Sequence, residues 1–220
     1  MIGIDGLQSL TFQKLIIIDK FMKYVDLEMH APHPVFTRQD ILLSGLKAFD
    51  YQLSLWVKKG LLIRLKNGIY AFAREAGSVD VRKLAFLLYQ PSYISLESAL
   101  AYHGFIPEMV YAQTSVTSRT TRTFNNVLGR FIYRHVKKEL YWGYEKISSG
   151  ACPYLMAEPE KAVLDYLYLN QTSIRTQADF ESIRLNYEQL RVSLDPDKFA
   201  RYLAGFNMLK MEKWALQCLP

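Results

Sequence analysis

The 220 residues predict an α+β chain that changes character near residue 75. Three observations carry this expectation. A helix-spaced apolar pattern ends at Gly60 and runs directly into two short apolar stretches joined by Asn67-Gly68, "WVKKGLLIRLKNGIYAF" (Trp56–Phe72). A small, polar stretch follows, "AREAGSVDV" (Ala73–Val81), of the composition that separates folded units. Beyond it, helical patterns alternate with β-branched and aromatic runs. The expected division is residues 1–75 and residues 76–220.

In the first part, "FQKLIIIDKFMKYVD" (residues 12–26) reads as an amphipathic helix, with Leu15, Ile18, Met22 and Val25 at helical spacing. "MHAPHP" (Met29–Pro34) breaks it, because a proline supplies no backbone N–H and clashes with the preceding turn. Thr37, with Asp40 three residues on, approximates a capping box that opens a second helix, and "LSGL" (Leu43–Leu46) is a turn. A third helix is expected over Lys47–Lys59. Phe49, Leu53, Trp56 and Val57 fall on one arc of it, and Lys47, Tyr51, Ser54 and Lys58 on the other. Leu55 lies nearer the outer arc. Gly60 suits the left-handed residue that ends a helix.

Asn67-Gly68 suits a two-residue type I′ hairpin turn, in which both central residues take positive φ. That register sets Leu65 against Tyr70 and Ile63 against Phe72 as an apolar face, with Arg64 against Ala71 and Lys66 against Ile69 pointing away from the core. Helix, short helix, turn, helix and hairpin make a winged helix-turn-helix. In that architecture the third helix enters a DNA major groove and the hairpin runs beside the phosphates. The expected contacts are Thr37, Arg38, Lys47, Tyr51, Ser54, Lys58, Arg64, Lys66 and Asn67, with Lys47, Tyr51 and Ser54 as base-edge or phosphate contacts and Lys58, Arg64 and Lys66 as phosphate contacts.

The second part is expected to be mixed α/β. "VRKLAFLLY" (Val81–Tyr89) and "SLESALAYHG" (Ser95–Gly104) read as helices, the latter capped by Ser95. "YAQTSVTS" and "RFIYRHV" read as strands, with "YWGYEKI" and "CPYLMA" extending the sheet. On "RFIYRHV", Arg130, Ile132 and Arg134 share one face while Phe131 and Tyr133 share the other. "EPEKAVLDYLYL" (Glu158–Leu169) is a helix with Pro159 in its first turn, and residues 176–218 form short helices split near "SLDPD".

The chain carries a net charge of +6, which fits an anionic partner. Ten Lys/Arg against seven Asp/Glu fall in residues 1–75, nine against five in 76–146, and eight against nine in 147–220. The basic excess therefore lies in the first two-thirds. No apolar run approaches the ~20 residues of a membrane span, and no secretion signal is recognisable. The 2 cysteines, Cys152 and Cys218, stand far apart without a C-x-x-C partner, which fits a reduced cytoplasmic protein.

"NGIYAF", "YISLESALAYHGFIPE", "TSVTSRTTRTF", "GRFIYRHV" and "MAEPEKAVLDYLYL" follow one another in an order that resembles the AbiEi-type antitoxins of abortive-infection toxin–antitoxin systems. These are also described as transcriptional regulators of viral defence. The resemblance covers about Phe36 to Leu169, and the ordered set carries it more than any single motif. It implies a winged helix that binds inverted repeats in its own promoter and represses the operon. It further implies a C-terminal domain that counteracts a nucleotidyltransferase-like toxin without direct contact, a type IV system. Antitoxicity in the family is associated with basic surface on that domain, and the matching positions here are Arg119, Arg122, Arg130, Arg134, Lys137 and Lys138.

No catalytic residues, metal or cofactor are expected. Glu158 and Glu160 at a helix start complement the helix dipole, and Lys161 with Asp165 fits an ion pair on a helix surface. His30 and His33 flank prolines without a third ligand, His103 sits at a helix end, and His135 has no nucleophile to serve. No phosphate-binding glycine loop or nucleophile elbow appears. Two other functions remain open: a plain regulator whose second domain binds a ligand or a protein, and a nucleotide-dependent enzyme.

Overall fold

The computed structural model describes residues 22–31, 34–107, 110–148 and 153–219. The chain is α+β and divides into two compact units, Met1–Ala76 and Gly77–Pro220. Most of the helix expected over residues 12–26 lies outside the described residues, as do His33 and Cys152.

In the first unit, α1 spans Tyr24–His30, so Met29 and His30 are still helical and the break begins at Ala31. Strand β1 (Val35–Thr37) leads into α2 (Arg38–Leu43). Thr37 caps α2 as expected: its hydroxyl accepts from the Asp40 amide at 3.1 Å, and the Asp40 carboxylate accepts from the Thr37 amide at 2.7 Å. Helix α3 is Asp50–Lys58, starting three residues later than expected, with Phe49 at its N-cap. Gln52 closes that end by accepting from the Phe49 amide, and its side-chain amide donates to the Met22 carbonyl. Leu53 and Trp56 are buried and Leu55 is exposed. Gly60 follows with φ +71°, a left-handed conformation that a Cβ resists.

Strands β2 (Leu62–Lys66) and β3 (Ile69–Phe72) make the hairpin, and β1 pairs with the other edge of β3. The hairpin register differs from the expectation. Lys66 lies opposite Ile69, but a bulge at Leu65 then sets Arg64 opposite Tyr70, Ile63 opposite Ala71 and Leu62 opposite Phe72. Cross-strand partners share a face. The face toward the helices therefore holds Leu62, Arg64, Tyr70 and Phe72, in place of Ile63 and Leu65. The core beneath comprises Leu27, Phe36, Ile41, Leu53, Trp56, Leu62, Tyr70 and Phe72, with Met22.

A 3-10 helix, Ala73–Ser78, occupies the stretch expected to separate the two parts. In the second unit, α4 (Val81–Leu88), β4 (Ser92–Ile94), α5 (Leu96–Tyr102), β5 (Ala112–Thr117), β6 (Arg122–Asn126) and β7 (Gly129–His135) come first. A 3-10 turn at Lys138–Leu140 leads to β8 (Tyr144–Ile147), β9 (Tyr154–Ala157) and α6 (Pro159–Asn170). Four short helices end the chain: α7 (Gln177–Glu181), α8 (Tyr187–Ser193), α9 (Pro196–Phe206) and α10 (Leu209–Leu216). The six strands are ordered β6-β7-β5-β4-β9-β8, with β5–β7 and β4–β9 parallel and the other pairs antiparallel. Tyr133 donates to the Ala85 carbonyl of α4 and the neighbouring Arg134 to the Leu169 carbonyl of α6, so these helices lie on opposite faces of the sheet. Among the described residues, no helix is long and apolar enough to cross a membrane.

Candidate nucleic-acid interface

The expected outer arc of α3 is exposed. Tyr51 (58% accessible), Ser54 and Lys58 face away from the core, while Leu53 and Trp56 anchor the opposite side. Lys47 precedes the helix, and its ammonium lies 5.2 Å from the centre of the Phe49 ring, against which Tyr51 stacks. Thr37 and Arg38 are both committed to partners. The Thr37 hydroxyl serves the α2 cap, and the Arg38 guanidinium pairs with Asp50 at 2.7 Å.

A cleft of about 450 Å³ joins α3 to the hairpin, lined by Arg38, Asp50, Ser54, Arg64, Asn67 and Tyr70, with Gly68 at its edge. The bulge at Leu65 explains how Arg64 reaches it. Opposite Tyr70, Arg64 lies on the helix-facing side of the hairpin, at the open edge of the core, where its guanidinium donates to the Asn67 side-chain carbonyl. The regular register expected from the sequence paired Arg64 with Ala71 and turned it away from the core beside the exposed arc of α3; Arg64 does lie beside Ser54 of that arc, but on the Tyr70 face of the hairpin. Lys66, opposite Ile69, falls on the other face of the strand pair, so the two cations diverge. Of the nine expected contacts, Arg38, Ser54, Arg64 and Asn67 converge on one cleft. Tyr51 and Lys58 extend the exposed helix face. Asp50, the one acidic group in the cleft, was not expected there.

The six basic residues of the second unit do not form one patch. Arg119 and Arg122 lie on the α4 face: the Arg119 guanidinium sits 4.6 Å from the Tyr89 ring centre, and Arg122 is paired opposite Tyr133. Arg130 and Arg134 occupy the α6 face with Ile132, as the strand alternation requires. Arg134 is half-buried and donates to the Leu169 carbonyl at 2.8 Å, near the C-terminal end of α6, where a cation is favourable. Lys137 and Lys138 are exposed at the turn after β7.

Glu160, Asp165, His103 and His135 of the second unit are each bonded within the fold. Glu160 accepts from the Asp195 amide at 3.0 Å and pairs with Lys198 at 3.1 Å, which ties α6 to the start of α9. His103 Nε2 bonds the Ala157 carbonyl at 2.9 Å, and His135 Nδ1 bonds the Arg119 carbonyl at 2.8 Å. The Lys161–Asp165 pair is present, but it is wholly buried and not on a helix surface. Asp165 also accepts from Tyr93 (2.8 Å) and Ser95 (2.9 Å), and the Lys161 ammonium lies within 5 Å of the Phe206 and Trp142 ring centres. Ser95 thus stands at the N-cap of α5 without capping it through its side chain. Burial draws the Lys161 ammonium down and the Asp165 carboxyl up, each opposed by the partner's charge. Helical spacing puts Lys161 and Asp165 on one arc with Glu158, the pattern of a solvated face, so nothing local in the sequence marked this cluster as buried. Among the described residues, no group of three His, Cys, Asp or Glu side chains could hold a metal ion.

No protein-family model matches the chain, and a search of curated proteins finds no match.

Proposed function

We propose that the first unit is a winged helix that binds duplex DNA, and that the protein is a transcriptional regulator. The observation that carries this reading is the shared cleft. Ser54 on the exposed arc of α3 and Arg64 and Asn67 on the hairpin line one concave surface, with Tyr51 and Lys58 exposed beside it. A helix flanked by a basic hairpin matches the way such modules meet a major groove and its phosphate rails.

More specifically, we propose an autorepressor of its own operon that also acts as the antitoxin of a type IV toxin–antitoxin system. The ordered motifs between Phe36 and Leu169 support this second step, with a nucleotidyltransferase-like toxin as the functional partner. The divided basic surface favours Arg130 with its neighbours on one face, or Arg119 with Arg122 on the other, over a contribution from all six together.

Binding of the full chain to its own promoter, measured by fluorescence anisotropy against KCl concentration, tests the first step. The double variant Arg64→Ala/Lys66→Ala is expected to weaken binding and reduce the salt slope by roughly one to two. An unchanged slope removes these residues from the phosphate interface. Co-expression with the neighbouring reading frame, scored by growth, tests the second step. Toxicity that the chain does not relieve would leave only the regulator.

A further inference from the structure

We propose that Asp50 holds Arg38 for the edge of a guanine and keeps it off the phosphate backbone, making this ion pair a specificity determinant of the DNA-binding surface. The inference rests on the DNA-binding reading above and deepens it.

Arg38 is the first residue of α2, and its amide donates to the Gly68 carbonyl at 3.0 Å, so its backbone is tied to the hairpin turn. Its side chain crosses the cleft to Asp50, the first residue of α3. The N-terminal residues of a recognition helix are those that meet base edges. On the DNA-binding reading the pair stands where base edges would be met, in the cleft that Ser54, Arg64 and Asn67 also line.

Stability does not account for the pair. Both side chains are open to water, Arg38 49% and Asp50 73% accessible, and exposed ion pairs contribute little to folding. Its electrostatic consequence on DNA is larger. A phosphate approaching Arg38 also approaches the Asp50 carboxylate, and the like charges oppose each other. A guanine edge is neutral and presents two acceptors, O6 and N7, that match the in-plane fork of a guanidinium. Asp50 engages one Nη of Arg38 and holds the guanidinium in the cleft, leaving other N–H groups to donate. Arg64 has a different partner, the neutral Asn67 carbonyl, so its full charge remains available to a phosphate. The cleft thus holds two arginines with separate tasks, set by whether the internal acceptor is charged.

Selection of bound sequences from a randomised duplex pool by the full-length chain tests this, together with anisotropy on a random-sequence duplex across KCl concentrations. The wild-type motif is expected to contain a G·C pair whose preference falls by about 5- to 100-fold in Arg38→Ala while other positions hold. Asp50→Asn, nearly the same shape, is expected to relax that same pair, to bind random duplex several-fold more tightly and to steepen the salt slope by about one. Asp50→Ser should do likewise, which guards against an effect peculiar to one side chain. A motif unaltered by Arg38→Ala, or an Asp50→Asn variant that weakens all duplexes equally or changes nothing, overturns the proposal while leaving DNA binding intact. A wild-type chain that binds no duplex overturns the DNA-binding reading and this inference with it.

Discussion

Replacing Lys161 by methionine tests the physics of the second unit's core. Methionine keeps most of the apolar stem and removes the charge. It would leave Asp165 fully buried, with the Tyr93 and Ser95 hydroxyls still donating but no cation within reach. Breaking a buried pair in this way costs about 3–5 kcal/mol, because the surviving charge is uncompensated. The cost has a pH signature. Burial already raises the Asp165 carboxyl, and the attraction of Lys161 is the largest influence opposing that rise. Without Lys161, the folded-state value climbs further above the unfolded one. The folded state then holds a proton that the unfolded state has released, so stability falls as pH rises through that window, by about 1.4 kcal/mol for each unit separating the two values. Urea unfolding of wild type and Lys161→Met at pH 5, 6.5 and 8, followed by tryptophan fluorescence, should show a deficit that grows with pH. A deficit below about 1 kcal/mol, or one that does not change with pH, would refute this account of the cluster.

Gly143 has φ +74°, and a Cβ there would lie 3.0 Å from the Lys161 side chain. Gly143→Ala should therefore cost about 1–2 kcal/mol or more in urea unfolding, and a neutral result would mean the ring-lined site can widen. Thr37→Ala removes the cap of α2 and should destabilise by about 0.5–2 kcal/mol, read as a lower midpoint; Thr37→Ser should recover most of it. Cys218 is buried, its thiol pushed up to about 12 by desolvation. Peptide mapping after iodoacetamide treatment at pH 8 should find it unmodified in the folded protein and alkylated in urea; labelling at equal rates would contradict its burial.

The elements were legible wherever backbone chemistry is local. Thr37 with Asp40 marks a helix start, Gly60 a helix end, and Asn67-Gly68 the place of a turn, because each depends on a few neighbouring residues; the type I′ geometry expected there is not adopted, since Gly68 takes a positive φ (+78°) and Asn67 does not. Strand alternation likewise placed Phe131 and Tyr133 on a buried face. Relations between distant segments were not legible. Arg122 is separated from Arg130 and Arg134 by the pairing of Arg122 with Tyr133, a register that no periodicity within either strand reveals. The four-residue spacing of Lys161 and Asp165 announced a pair without saying that Tyr93 and Ser95 would enclose it from another part of the chain. The first residue of α3 was misplaced because Lys47 continues the helical period, while the start is set by Gln52 folding back on the Phe49 amide.

The hairpin shows how a local irregularity shapes the candidate site. Without the bulge, strict alternation would give Ile63 and Leu65 to the core and turn Arg64 and Lys66 together to the far side. With it, Leu62 and Leu65 are both buried although they stand three residues apart, and the strand reverses its faces between Arg64 and Lys66. Arg64 then turns toward α3 and enters the cleft with Arg38, Asp50 and Ser54, while Lys66 keeps the opposite face. A regular hairpin of the same composition would carry the same charge but leave the cleft with Arg38 alone, neutralised by Asp50. The bulge therefore gives the cleft its net positive charge, and it accompanies the burial of both Leu62 and Leu65, which a regular two-residue period would turn to opposite faces.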